Sequence, residues 1–172
     1  CESLVGQRVQ MKYMKQLGFS FSPQFIAETL LKHGEAVDIL AWMFAYRFNP
    51  KHVNAPEETV KGLKPRLDEI LDKIQNLSED KIIRKYYELI HATMRTNFYQ
   101  LDADGQAKEY ISFKFSPKLI TEMPLPKPMY EIFVYAPHFE GVHLRGGKVA
   151  RGGLRWSDRI EDFRTEVLGL VK

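Results

Sequence analysis

Arg151-Gly-Gly-Leu-Arg155 sets two guanidinium groups around a glycine pair, directly ahead of Trp156-Ser-Asp-Arg159. Arginine presents a planar fork of donors that matches a carboxylate or a phosphate bidentately. Paired glycines bare their backbone N–H groups and tolerate φ > 0. Together the two residue types can build a concave, positive surface for a small anion. The motif belongs to a longer stretch, Gly141–Arg159, that holds five of the eleven glycines, at 141, 146, 147, 152 and 153. From His143 to Arg159, Arg145, Lys148, Arg151, Arg155 and Arg159 meet one acid, Asp158, so this segment carries +4 where the whole chain carries +3. The same residues also admit a plainer reading, a strand with a bulge at its glycines and its arginines along a solvated edge. Residue types and spacing alone leave both open.

Other chemistries are weaker. His33, His52 and His91 are scattered, and His138 and His143 flank Gly141 without a cysteine or third histidine, so no metal site is expected. Asp102-Ala-Asp-Gly105 resembles the opening of a calcium loop, but its glycine comes too early and no glutamate follows at the needed offset. Asp158, Glu161 and Asp162 read as helix-start acids in capping-box spacing, not as a catalytic pair. The two Arg-Gly-Gly triplets could instead form an RNA-binding module, with Trp156 stacking a base. Interleaved Val142, Leu144, Val149 and Leu154 argue for strands over a disordered Arg-Gly-Gly tract.

The elements that must position this stretch change character near residue 102. Before it, helical spacing dominates. Leu4, Val5, Val9, Met14 and Leu17 share a face up to Gly18, and Ser22-Pro23 caps a second helix that stops at His33-Gly34. A third runs to Asn49-Pro50, its aromatic residues Trp42 to Phe48 reading as core. Ala55-Pro56 opens a fourth, whose first turns Gly62 and Pro65 place in doubt. Ser78 is expected to cap a fifth, with Ile82, Tyr86, Leu89, Ile90, Thr93 and Asn97 on one face. Beyond residue 105, Ile111, Phe113 and Phe115 alternate as in a half-buried strand. Pro117, Pro124, Pro126 and Pro128 mark an extended connector, read as a crossover between two packing units. Met129–Ala136 is apolar on both faces, as a central strand should be. Two shorter strands flank Gly146-Gly147, and Ser157-Asp158 opens a last helix with Ile160, Phe163, Val167, Leu170 and Val171 buried. The fold class is α+β, an N-terminal helical bundle over residues 1–105 followed by strands and a helix over 106–172.

Bulk properties narrow the function classes. With 172 residues, 44% apolar, the chain can bury a core. A net charge of +3 makes no general case for nucleic acid or membrane partners. No run of about 18 apolar residues is present, and no signal peptide is visible. Cys1 is the lone cysteine, which fits a reducing, cytoplasmic compartment. The absence of an initial Met, and an end at Val171-Lys172 inside an apolar helical pattern, suggest an excerpt of a longer protein.

The run Pro137–Arg159, followed by Glu161–Lys172, resembles the large-subunit NAD-specific glutamate dehydrogenases of bacteria. Arg95-Thr-Asn-Phe-Tyr-Gln100 and Leu125-Pro-Lys-Pro-Met129 are similar to stretches that precede this motif in that family. The resemblance is dense from about residue 80 onward and looser before it. It implies oxidative deamination of L-glutamate to 2-oxoglutarate and ammonia, with NAD+ taking the hydride. It further implies that 106–172 begin an α/β substrate-binding domain. In the smaller hexameric relatives a Lys-Gly-Gly-hydrophobic-Arg motif opens the substrate pocket, its lysine pairing with a substrate carboxylate and a glycine amide helping to hold the substrate. Arg151 stands at that lysine, keeping the charge and adding a fork, with Gly152 and Gly153 as the pair. Arg155 matches the motif arginine, for which scaffold and substrate contact both stay open. The family's catalytic lysine, its second carboxylate-binding lysine, its aspartate and its dinucleotide-binding domain are expected beyond Lys172, which is none of them. The resemblance thus implies a fragment inactive by itself, with no catalytic, cofactor or metal residue of its own, from a homo-oligomeric enzyme of amino-acid catabolism.

Overall fold

The computed structural model describes residues 2–52, 54–155 and 163–170. The helical spacings become α1 (Glu2–Gln16), α2 (Pro23–Lys32), α3 (Gly34–Phe48), α4 (Glu57–Leu71) and α5 (Leu77–Ala92). Strands follow as β1 (Thr93–Thr96), β2 (Ile111–Phe115), β3 (Tyr130–Ala136), β4 (Phe139–Gly146) and β5 (Val149–Arg155), and then α6 (Phe163–Gly169). The class is α+β, as expected. The expected cap at Ser157-Asp158, together with Trp156, Arg159, Ile160, Glu161, Asp162, Val171 and Lys172, lies outside the described residues, as does Cys1.

Two compact units emerge. One spans Phe21–Ile90. Ser22 Oγ accepts from Phe25 N at 3.1 Å and so caps α2, as its place before Pro23 predicts. The cap of α5 is Asn76 instead of Ser78: its Oδ1 accepts from Ser78 N at 2.9 Å and from Glu79 N at 3.2 Å. Asparagine reaches those first N–H groups one turn position earlier than the serine could. α4 runs unbroken through Gly62 and Pro65, because burial of Leu67 and Leu71 outweighs one lost backbone bond. Of the aromatic stretch expected in the core, Phe44 is buried but Trp42 is 50% exposed, stacked on Tyr46 with His52 at the edge of both.

The other unit combines residues up to Ser20 with those from His91 onward. Its sheet has the order β1-β2-β3-β4-β5, every described pairing antiparallel. Thr93 and Asn97, expected on the α5 face, instead leave the helix. Thr93 pairs with Phe115, and Asn97 bridges to Tyr110 O and Ser112 N at 3.0 and 2.7 Å. β-Branched Thr93 and Thr96 suit a strand, and ladder bonds to β2 replace the helical ones. The proline-rich connector is likewise not a crossover between units. It joins neighbouring strands of one sheet, folding back with Ile120 and Met123 buried.

Register defines two faces, since side chains alternate along a strand. One face carries three rows: Phe115, Glu131, Leu144 and Arg151; Phe113, Phe133, Val142 and Gly153; Ile111, Tyr135, Glu140 and Arg155. α1 and α6 cover it. Tyr13 stacks on Phe115 with centroids 4.3 Å apart and lies 5.3 Å from Phe133. Val9, Met14 and Leu17 are buried as their spacing predicts. The opposite face, with Ile132, Val134, His143, Gly152 and Leu154, is half-buried to exposed.

Within the helical unit, Glu79 receives Lys32 Nζ at 2.7 Å and lies 2.6 Å from His33 Nε2. Hydrogen bonds from Lys32 and then His33 hold its carboxyl below the usual glutamate value. A carboxyl with a depressed folded pKa contributes stability above its unfolded pKa and loses it as pH falls through the folded one. Glu79→Gln should therefore melt below wild type at about pH 7, with the gap narrowing as pH falls towards about 3. Thermal melts followed by circular dichroism check this, and an equal gap at both pH values would remove the cluster from the acid response.

Candidate functional site

β4 and β5 form a hairpin turned at Gly147, whose φ of 62° is the left-handed backbone that a two-residue turn with glycine first requires. Arg145-Gly146-Gly147 is thus a turn device, with Arg145 Nε donating to Gly147 O at 3.3 Å. Gly152 and Gly153 are different. Neither has positive φ, and both sit in regular ladder positions opposite His143 and Val142. Gly152 is needed for close approach: a Cβ there would lie 3.0 Å from Val142 O and 3.2 Å from His143 Cα. A Cβ on Gly153 would meet the Phe163 ring of α6 at 3.4 Å. The pair is flat strand seated against its neighbours, not a φ > 0 cradle.

Alternation puts Arg151, Gly153 and Arg155 on the helix-covered face and turns Gly152 and Leu154 to the other. Arg151 is exposed at the end of its row. Its Nη1 donates to Ala150 O at 3.0 Å, and it has no ion-pair partner among the described residues. Arg155 stands directly across from Glu140, itself held by Gln16 Nε2 at 3.0 Å. The two motif positions are therefore not equivalent in register: position 155 pairs with Glu140, whereas Arg151 pairs with Leu144 and is exposed. Glu131, the acid in the Arg151 row, is one strand further away, about 10 Å by strand spacing.

Glu131 is already engaged. Arg164, in the first turn of α6, donates Nε to Glu131 Oε1 at 2.7 Å and Nη2 to Oε2 at 2.8 Å. Their side chains are 0% and 1% exposed. Burial pulls the guanidinium pKa down, but the Glu131 hydrogen bonds and charge more than offset it, and the net shift is upward. Tyr13 Oη and Arg164 Nη1 are buried without a hydrogen-bond partner among the described residues. Burial first, then the Glu131 charge, pushes the Tyr13 phenol well above the usual tyrosine range, while Arg164 acts in the opposite sense.

Sequence reasoning missed this cluster. Its one local signal was Glu131, a lone acid inside the apolar run Tyr130–Ala136, which a central strand tolerates only with a buried partner. Nothing local pointed to Arg164, Gln16 or Tyr13. Among the described residues no group of acids, histidines or cysteines could hold a metal ion. The antiparallel sheet likewise offers no parallel βαβ cradle for a dinucleotide, so no step involving NAD is assigned to these residues. What the hairpin can do is bind and orient an anion.

Comparison with known proteins gives the chain relatives. Residues 66–172 match the family profile described as bacterial NAD-glutamate dehydrogenase, catalytic domain. Residues 7–50 match glutamate dehydrogenase, helical motif 3. The NAD-specific glutamate dehydrogenase of Pseudomonas aeruginosa is 54% identical over 168 residues, covering 96% of this chain and 10% of that protein. Those of Halomonas elongata and Mycobacterium tuberculosis are 50% and 41% identical, covering 96% and 99% of this chain and 10% and 11% of theirs. The chain thus spans about a tenth of the length of the curated relatives it matches.

Breaking the Glu131–Arg164 pair from one side strands a buried charge. Glu131→Ala should cost roughly 3–5 kcal/mol of stability, whereas Glu131→Leu with Arg164→Met should recover most of it. Urea unfolding of the three proteins measures this, and equal losses in the single and double variants would count against the pairing.

Proposed function

This chain belongs to the bacterial NAD-glutamate dehydrogenase family, and we propose that it supplies one wall of the glutamate pocket in such an enzyme. The reaction is oxidative deamination of L-glutamate to 2-oxoglutarate and ammonia, with NAD+ as hydride acceptor bound elsewhere in the protein. Arg151 binds a substrate carboxylate, and a backbone amide of the Gly152-Gly153 pair helps to hold the substrate. Arg155, at the position paired in register with Glu140, is assigned a scaffold role more than a substrate contact.

The observation that carries this reading is the exposed guanidinium of Arg151. An exposed guanidinium without an acidic partner among the described residues can pair with an incoming carboxylate at no loss of an existing ion pair. Its place matches the motif lysine of the smaller glutamate dehydrogenases. Binding and orientation are the whole contribution of these residues, since the described part of the chain offers no nucleophile–base pair and no cofactor cradle. The isolated chain is accordingly proposed to be inactive. The substrate-binding domain is taken to begin near residue 106, within a homo-oligomeric cytoplasmic enzyme of glutamate catabolism. No helix among the described residues is long and apolar enough to cross a membrane.

In the full-length enzyme Arg151→Ala should raise the KM for glutamate roughly 10- to 100-fold, about 1.4–2.8 kcal/mol, with the fold intact. Arg151→Lys, which keeps charge but loses the fork, should fall between. Steady-state kinetics on glutamate check this, and an unchanged KM in Arg151→Ala would remove Arg151 from the pocket.

A further inference from the structure

We propose that Gln16, the last residue of α1, is a positioning residue for the Arg151–Arg155 strand, acting through Glu140 and through the first turn of α6. This rests on the reading of that strand as a substrate wall.

Gln16 is 3% exposed, and its amide engages partners that are distant in sequence. Nε2 donates to Glu140 Oε2 at 3.0 Å, and Oε1 accepts from the backbone N of Arg164 at 3.2 Å. A neutral side chain with both a donor and an acceptor does this, whereas a glutamate lacks the donor, a lysine the acceptor and a leucine both. The two bonds reach the two arginine rows of the hairpin. Glu140 is the register partner of residue 155, so holding its side chain holds β4 where it pairs with the end of β5. Arg164 is locked on Glu131, which shares a row with Leu144 and Arg151. One amide therefore braces β4, and through it the paired β5 with its exposed Arg151, against α6.

The placement of α1 makes this more than local packing. Its residues from 7 onward match the helical motif 3 profile, yet the helix folds in the unit that carries the sheet. The substrate wall is thus held by a helix that sequence similarity assigns to a different part of the enzyme.

Gln16→Glu in the full-length enzyme separates positioning from simple stability. The variant keeps an acceptor for Arg164 N but sets a second carboxylate against Glu140. Two carboxylates at hydrogen-bond distance share a proton, so the contact is restored at low pH and repulsive at high pH. Gln16 of α1 reaches Glu140 by hydrogen bond and Tyr135 of β3 pairs with it in register, with Lys12 5.9 Å above the Tyr135 ring. The glutamate KM of Gln16→Glu relative to wild type should rise from near unity at about pH 6 to roughly tenfold at about pH 9, with kcat within about twofold. Gln16→Leu should show a raised KM at every pH, without the step. If the leucine variant does not fold, the glutamate variant at low pH serves as its own folded reference. Ratios flat near unity for Gln16→Glu, or a lowered melting temperature with unaltered KM, would overturn the proposal. An unchanged KM in Arg151→Ala sinks the wall itself, whereas a raised KM there beside a pH-flat Gln16→Glu sinks only the positioning role.

Discussion

The sheet-bearing unit depends on the Glu131–Arg164 ion pair, in which a bidentate fork is withdrawn from water between the third strand and the last described helix. Such a pair adds little net stability, because desolvating two charges offsets most of their attraction. Its weight lies in what it excludes. A one-residue slip of β3 would turn Glu131 to the opposite face and leave Arg164 charged and unpaired among apolar side chains. The same slip would swing Phe133 away from Tyr13. Charge and aromatic packing therefore specify one register, and α6 can dock on the sheet in the position where its arginine meets that glutamate.

From that register the character of the hairpin follows. Antiparallel pairing carries the Glu131 row through Leu144 to Arg151 and the Tyr135 row through Glu140 to Arg155. Which row each motif position ends is thus set by the same register. Glycine at 152 lets β5 lie against the His143 backbone, and glycine at 153 gives room to Phe163. β5 is the edge of the described sheet, with Leu154 59% exposed, and basic side chains along an edge disfavour pairing with another chain. The exposed Arg151 on this strand thus also guards the edge.

The helices, the hairpin and the strand at 111–115 were legible in the sequence because each is written in local periodicity and turn chemistry. Ser22-Pro23 announces a helix start, and Ile111, Phe113 and Phe115 alternate as a strand must. The misreadings arose where a distant partner decides. Thr93 and Asn97 continue the α5 spacing, and β2, more than a dozen residues on, draws them out of the helix. The proline-rich connector looked like a passage between units because proline content reports stiffness, not destination. For the site, Arg151 and its glycines were visible by composition. Their flat backbone was not, since glycine serves close approach and positive φ alike. Gln16, 124 residues from Glu140, had no local signature at all.

α1 shows why profile boundaries and folding boundaries part company here. Profiles follow contiguous sequence, so residues 7–50 fall to one and 66–172 to another. Burial follows contact, and it assigns α1 to the sheet. That helix turns Tyr13 and Gln16 inward beside Val9 and Met14, a choice that is costly for an isolated amphipathic helix. It becomes reasonable only when Phe115 and Phe133 receive the tyrosine ring and Glu140 and Arg164 receive the amide. The polar residues inside α1 are therefore the imprint of the sheet on a helix far upstream. Through Gln16 that helix is hydrogen-bonded to β4, the strand on which the arginine-bearing strand is paired.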